Sequence, residues 1–132
     1  MTILQPPGWA KPKGFSNGIA ASGKQVFIAG QIGWTGENKW EAKEFAGQFR
    51  QTLKNTLEVL AEAGGKPEHI VRMTWYILDR KEYLAAIKDV GAAYRELLGR
   101  HYPAMAVVQV SGLMEDQARL EIETTAVIPE AA

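Results

Sequence analysis

The strongest constraint on the fold is a change of apolar period in mid-chain. Phe45, Phe49, Leu53, Leu57 and Leu60 recur at steps of four and three, which is the stripe of an amphipathic helix. Gly64-Gly65 can take the left-handed cap, and Pro67 just beyond cannot continue a helix. From Ile70 the period becomes two. Val71, Met73, Trp75 and Ile77 share one side and Arg72, Thr74 and Tyr76 the other, the pattern of a half-buried strand. A helix running into a strand points to helices stacked on a sheet.

The remaining elements extend that layer pair. Asp79 with Glu82 three residues on resembles a capping box, and Leu84, Ile87, Val90, Gly91, Tyr94 and Leu97 continue at helical spacing to Gly99. Upstream, the apolar runs Asn17 to Ser22 and Gln25 to Ile32 are separated by Gly23 and Lys24, the signal of a tight hairpin. Downstream, Met105 to Ser111 and Ala118 to Pro129 read as strands around a loop through Glu115 and Asp116. The predicted order is ββαβαββ, an α+β fold whose mixed sheet carries two helices on one face. A single domain is expected across residues 1–132, its core from about Gly14 to Pro129 between a loose Pro-containing start and a PEAA tail. The strands carry apolar residues on both sides, so the face without helices needs a cover. Sheet-against-sheet packing of copies in a small closed ring supplies one.

Composition removes several function classes. Fifteen Lys plus Arg balance fifteen Asp plus Glu, which disfavours a nucleic-acid partner, because such binding draws its affinity from cations that neutralise phosphates. With no cysteine there is no disulfide, thiolate zinc site or cysteine nucleophile, a composition suited to a reducing cytosol. The opening MTILQPPGWAKPKG lacks an apolar core of signal-peptide length. The longest uncharged stretch, Tyr102 to Met114, is too short to span a bilayer. A cytoplasmic protein with no membrane partner is expected.

Candidate chemistry concentrates in the last strand, where Arg119, Glu121, Glu123, Thr125 and Val127 fall on one side. If that side meets solvent, the two carboxylates are solubilising charges. If it lines an interface between copies, at least one is a partly buried acid available for proton transfer. His69 and His101 stand alone, without the second ligand at i+4 of a zinc helix, so they read as surface or loop-anchoring residues and no metal is expected. Ser16, Ser22 and Ser111 lack a nucleophile elbow. Gly30-Gln31-Ile32-Gly33 and Gly64-Gly65 are not followed by the Gly-Lys-Ser/Thr of a phosphate loop. Trp9, Trp34, Trp40 and Trp75 are scattered without interleaved cations, which favours core or interface anchoring over base stacking.

Several segments in order resemble the Rid family, the YjgF-type reactive intermediate deaminases also labelled L-PSP endoribonucleases. They are Gly14-Phe15-Ser16-Asn17-Gly18, Val26-Phe27-Ile28-Ala29-Gly30-Gln31-Ile32, Gln51-Thr52-Leu53-Lys54-Asn55, Ile70-Val71-Arg72-Met73-Thr74, Tyr102-Pro103-Ala104-Met105 and Leu120-Glu121-Ile122-Glu123. The resemblance implies a chemistry without a cofactor, hydrolysis of an enamine or imine to a carbonyl compound and ammonia. It also implies a chorismate-mutase-like homotrimer with a central barrel-like core, and small-molecule clefts between adjacent subunits. By the same resemblance Glu121 positions the water and moves protons, and the Gly30 backbone N–H meets an anion or carbonyl.

Four positions depart from the family's deaminating pattern, all from polar to apolar. Met105 stands where an arginine clamps the substrate carboxylate, Phe15 for a tyrosine, Ala29 for a serine and Gly91 for an asparagine. Loss of a bidentate charged contact lowers affinity for a free 2-imino acid. An acid such as Glu121 surrounded by Phe15, Ala29, Met105 and Val107 is expected to be harder to ionise, since desolvation raises a carboxyl pKa. The expected substrate is therefore a small imine, enamine or carbonyl compound with little or no carboxylate beside the reacting carbon. The alternative is a trimer that binds a small molecule or a protein without catalysis. Ribonuclease activity follows only from the family's older label, and the balanced charge and absence of a histidine pair weigh against it.

Overall fold

Alternating strands form the sheet, and the helical stripes decide which of its faces is covered. The computed structural model describes residues 1–130; the last two residues of the PEAA tail lie outside the described residues. The chain runs β1 (Thr2–Leu4), β2 (Gly18–Ala20), β3 (Lys24–Gln31), α1 (Phe45–Glu62), a 3-10 turn (Pro67–His69), β4 (Ile70–Ile77), α2 (Arg80–Ala85), α3 (Ile87–Leu98), β5 (Ala104–Gln109) and β6 (Leu120–Ile128). The main sheet has the order β3-β6-β4-β5. Its one parallel pair is β4 with β5, and β6 is antiparallel to both neighbours. The class is α+β with a mixed sheet and helices on one face.

The core lies between that face and α1 and α3. Ile28, Met73, Trp75, Ile77, Leu120 and Ile122 of the sheet meet Phe49, Leu53 and Leu60 of α1 and Val90, Tyr94 and Leu98 of α3. Each large side chain sealed here contributes roughly 1.5–3 kcal/mol. The buried face of α1 also contains polar Gln48, Thr52 and Thr56. The Thr52 hydroxyl donates to the Gln48 carbonyl at 2.8 Å and the Thr56 hydroxyl to the Thr52 carbonyl at 2.9 Å. The helix's own backbone thus satisfies groups that would be costly to bury bare.

Four local expectations are corrected. The start is not wholly loose, because Thr2–Leu4 pairs antiparallel with Gly18–Ala20. Accordingly, the runs on either side of Gly23-Lys24 do not form a hairpin with each other. β3 instead pairs with β6, and Lys24 lies opposite Ile128. Gly23 takes φ +144 with the Ile128 carbonyl where a Cβ would sit, so its bare Cα serves the approach of β3 to β6. The second helix is divided at Ala86, which ends α2 and begins α3. Leu84 and Ile87 remain exposed, while Tyr83 packs edge-on against Phe45 at 5.8 Å and Trp75 at 6.3 Å, so no one stripe serves both segments. In β4 a bulge between Ile70 and Arg72 re-phases the strand, so that Ile70 rather than Val71 is buried with Met73.

Candidate functional site

The face of the sheet without helices is open in the single chain. Phe27 on it is 73% exposed, and a shallow hollow of about 240 Å³ is lined by Phe27, Arg72, Thr74, Glu123 and Thr125. Glu121 pairs with Tyr76 across the β4–β6 ladder and is half-buried. The β3–β6 ladder shifts register between Ile28 and Gln31, placing Ala29 and Gly30 in a bulge, a device that often re-aims groups at functional sites. The Gln31 amide donates to the Ala29 carbonyl at 3.2 Å. Glu121 lies against Gly30 so closely that a Cβ there would overlap its carboxylate. Its neighbour Glu123 accepts a 2.5 Å hydrogen bond from the Tyr76 hydroxyl. That bond to a carboxylate holds the Tyr76 pKa above the ordinary tyrosine value, with desolvation adding to it.

Two amides of α1 fix the chain around this acid, and neither is a candidate site residue of the sequence reading, although Asn55 closes the Gln51-Thr52-Leu53-Lys54-Asn55 segment of the family resemblance. Gln48 donates to the Gln117 carbonyl at 2.9 Å and accepts from the Arg119 N–H at 2.8 Å, clamping the approach to Glu121. Asn55 donates to the carbonyls of Ile32 at 3.1 Å and Trp34 at 2.7 Å, holding the exit from the Gly30 bulge. In the helical pattern both are amides on or beside a buried side that also carries Thr52 and Thr56, so nothing marks them out.

A second constellation lies near β5. The Ser16 N–H donates to the Pro103 carbonyl at 3.0 Å and its hydroxyl to the Tyr102 carbonyl at 2.5 Å, and Ser16 bridges Ala104 in parallel fashion. This stitch brings Phe15 beside Met105. Two hollows of about 390 and 280 Å³ share Lys13, Gly14, Tyr83 and Met105; the larger adds Gly91 and Arg95, and the smaller adds Phe15 and Val107. Tyr94 and Tyr102 stack in the larger at 5.5 Å and 9°. The Tyr94 hydroxyl donates to the His101 carbonyl at 2.5 Å, and burial pushes its pKa well above the ordinary tyrosine value. Trp75 forms part of the wall, only 4% exposed, and its indole N–H has no hydrogen-bond partner.

The seven singled-out residues therefore fall into two groups. Ala29, Gly30 and Glu121 lie together at the β3–β6 bulge, and Phe15, Gly91, Met105 and Val107 around the β5 groove. Met105 lies opposite Met73 and Val107 opposite Trp75, on the side of the sheet that meets the helices, whereas Glu121 is on the open side. The expectation that Phe15, Met105 and Val107 surround Glu121 is thus not met within one chain. The parallel register of β5 puts Met105 and Val107 in line with the core-facing residues of β4.

The histidines anchor loops. His69 Nδ1 accepts from the Lys66 N–H at 3.0 Å, and His101 Nε2 donates to the Ile70 carbonyl at 2.6 Å. Trp75 belongs to the core, Trp34 packs on Trp40 at 5.7 Å, and Trp9 is exposed. Among the described residues no helix is long and apolar enough to cross a membrane.

Comparison with known proteins agrees with this architecture. The sequence profile of the Endoribonuclease L-PSP family matches residues 9–128. A RutC family protein of Aquifex aeolicus is 34% identical over 130 residues, covering 96% of this chain and 99% of its own. A Salmonella typhimurium protein named 2-iminobutanoate/2-iminopropanoate deaminase is 31% identical over 108 residues, 80% of each chain. Yersinia pestis YyfB, of the conserved Rid family, superposes with a TM-score of 0.83 at 26% identity, covering 96% of this chain and 98% of its own.

Proposed function

Because the chain belongs to the Endoribonuclease L-PSP family, the Rid proteins, we propose that it is a cytoplasmic, cofactor-independent homotrimer that hydrolyses a small imine or enamine. The reaction centre is a cleft between subunits, with Glu121, Gly30 and Ala29 from one protomer and Phe15, Gly91, Met105 and Val107 from the next. The observation that carries this reading is the Glu121 carboxylate, half-buried over a glycine bulge on a face that the chain leaves uncovered. Residues needed for one crevice lie on opposite sides of one sheet, and a closed ring of copies can bring such halves together. The exposed Phe27 and Val108 give the ring apolar surface to bury.

An iminium carbon is already electrophilic, so the protein has to orient water and move protons. Glu121 positions the water, takes a proton from it as the water oxygen bonds to that carbon, and is then the proton donor. Glu121 passes that proton to the nitrogen of the carbinolamine, the C–N bond breaks as the carbinolamine hydroxyl returns its proton to Glu121, and ammonia leaves with the carbonyl product. The Gly30 N–H polarises the substrate, and Met105 and Phe15 suit an apolar group beside the reacting carbon. The family's older endoribonuclease label is not carried to this chain, since fifteen cations against fifteen anions give no excess charge to hold RNA.

Ammonia release from a panel of imines, with wild type and Glu121→Gln, tests the reading. The expected loss is about 10²- to 10⁴-fold, the usual worth of a positioned general acid-base, and imines without an adjacent carboxylate should react faster than 2-aminoacrylate. Equal rates for the two proteins would leave the cleft as a binding site only. RNA cleavage that tracks salt-sensitive binding would overturn the choice of substrate class.

A further inference from the structure

We infer that Arg95 makes the β5 groove a receptor for anions, and that its ligand is a carboxylate on a flat, apolar body. The two hollows of the groove are lined by two cations, Lys13 and Arg95, and by no Asp or Glu among the described residues. Arg95 stands one helical turn after Gly91, and a Cβ on Gly91 would come 3.1 Å from its Nη1. The bare glycine therefore gives the guanidinium room to lie along α3 at the groove's rim. Arg95, like Arg72, Arg80 and Arg100, has no ion pair among the described residues, and of these four it is the one that lines the groove. Its fork of donors is free for a carboxylate, which it can hold with two parallel hydrogen bonds.

The walls specify the rest of the ligand. Tyr83 and the stacked Tyr94–Tyr102 pair offer flat apolar surface. Trp75, in the same wall, has its indole N–H sealed, so it adds apolar ring surface and no donor to the ligand. An arylalkanoate fits this combination. The inference deepens the deaminase reading and rests on it only for turnover. There it places the substrate's carboxylate at Arg95, separated by an apolar spacer from the carbon that Glu121 serves.

Calorimetric titration with phenylacetate, phenylacetamide and 2-phenylethylamine tests it, since the three share one aromatic body and differ in charge. Wild type should bind phenylacetate about tenfold or more tighter than the amide, as a charge-assisted bidentate contact supports, and should bind the amine most weakly. Arg95→Gln should bring phenylacetate to the level of the amide and leave the amide unchanged, and Arg95→Lys should retain part of the preference. Gly91→Leu, which displaces the guanidinium without removing it, should weaken phenylacetate more than phenylacetamide. Equal affinity for the three probes, or an undiminished preference in Arg95→Gln, would overturn the inference. Glu121→Gln separates the two claims. Unchanged turnover in that variant defeats the deaminase reading, while the charge preference of the groove is judged by Arg95 alone.

Discussion

The same four strands present two very different faces. On the helix side Met73, Trp75, Ile77 and Ile122 are sealed under α1 and α3. On the open side Phe27, Tyr76, Glu121 and Glu123 stand with no layer above them. Away from the β5 groove the first face is sealed within one chain and accounts for its folding. The second is left uncovered by the chain's own helices, and it carries the candidate acid. The difference separates stability from function, since a residue's worth depends on which face it serves rather than on its apolarity.

Phe49 and Phe27 give the sharpest test of that division. Phe49→Ala removes a ring that is 0% exposed and should cost about 3–5 kcal/mol of folding stability, read as a lowered denaturation midpoint. Phe27→Asp should leave the protomer folded by circular dichroism but shift the proposed trimer to monomer in light scattering, abolishing turnover. Similar folding losses for the two variants would erase the distinction between the faces.

Gly30→Ala probes the acid at finer scale. The added Cβ must push the Glu121 carboxylate aside, and a displacement of about 1 Å can cost up to about a hundredfold. Imine turnover should fall roughly ten- to hundredfold, while phenylacetate binding in the groove is unaltered. A parallel loss of binding would mean that the bulge is structural support for both halves.

The smallest effects concern protons. Tyr94 on the helix side is raised by burial, and Tyr76 on the open side chiefly by its hydrogen bond to Glu123. A raised phenol pKa means that the folded state holds the proton more tightly. The stabilisation is therefore full below the ordinary tyrosine value of about 10 and lost as pH rises through the folded value. Denaturant titrations should show stability falling above that value, less steeply in Tyr94→Phe. Glu123→Gln should lower the titration of Tyr76 toward the ordinary value in ultraviolet absorbance and leave Tyr94 in place.

Much of the covered face is legible in the sequence because burial imposes a period on it. Phe45, Phe49, Leu53 and Leu60 declare α1, and Met73, Trp75 and Ile77 declare β4. Where the backbone departs from strict periodicity the pattern misleads. The bulge at Val71 exchanges it with Ile70, and the break at Ala86 turns Tyr83 inward in place of Leu84. The pairing of Thr2–Leu4 with Gly18–Ala20 joins two three-residue strands, too short for alternation to register. Glu121 is visible as an acid on one side of the last strand, but its contact with Gly30 depends on a register shift between β3 and β6. Gln48 and Asn55 act through loop carbonyls, and Arg95 acts through space left by a glycine. None of these leaves a periodic trace.

Complementation between two inactive chains tests most directly whether the reaction centre is shared by two protomers. Glu121→Gln lacks the acid, and Met105→Trp fills the groove; each alone should be inactive. When the two are co-expressed, an interface that joins the intact Glu121 of one to the intact groove of the other should restore turnover. Random assembly of equal amounts in a closed ring predicts about one quarter of wild-type activity. A mixture no more active than its parents would contradict the shared site and place the chemistry, if there is any, within a single chain.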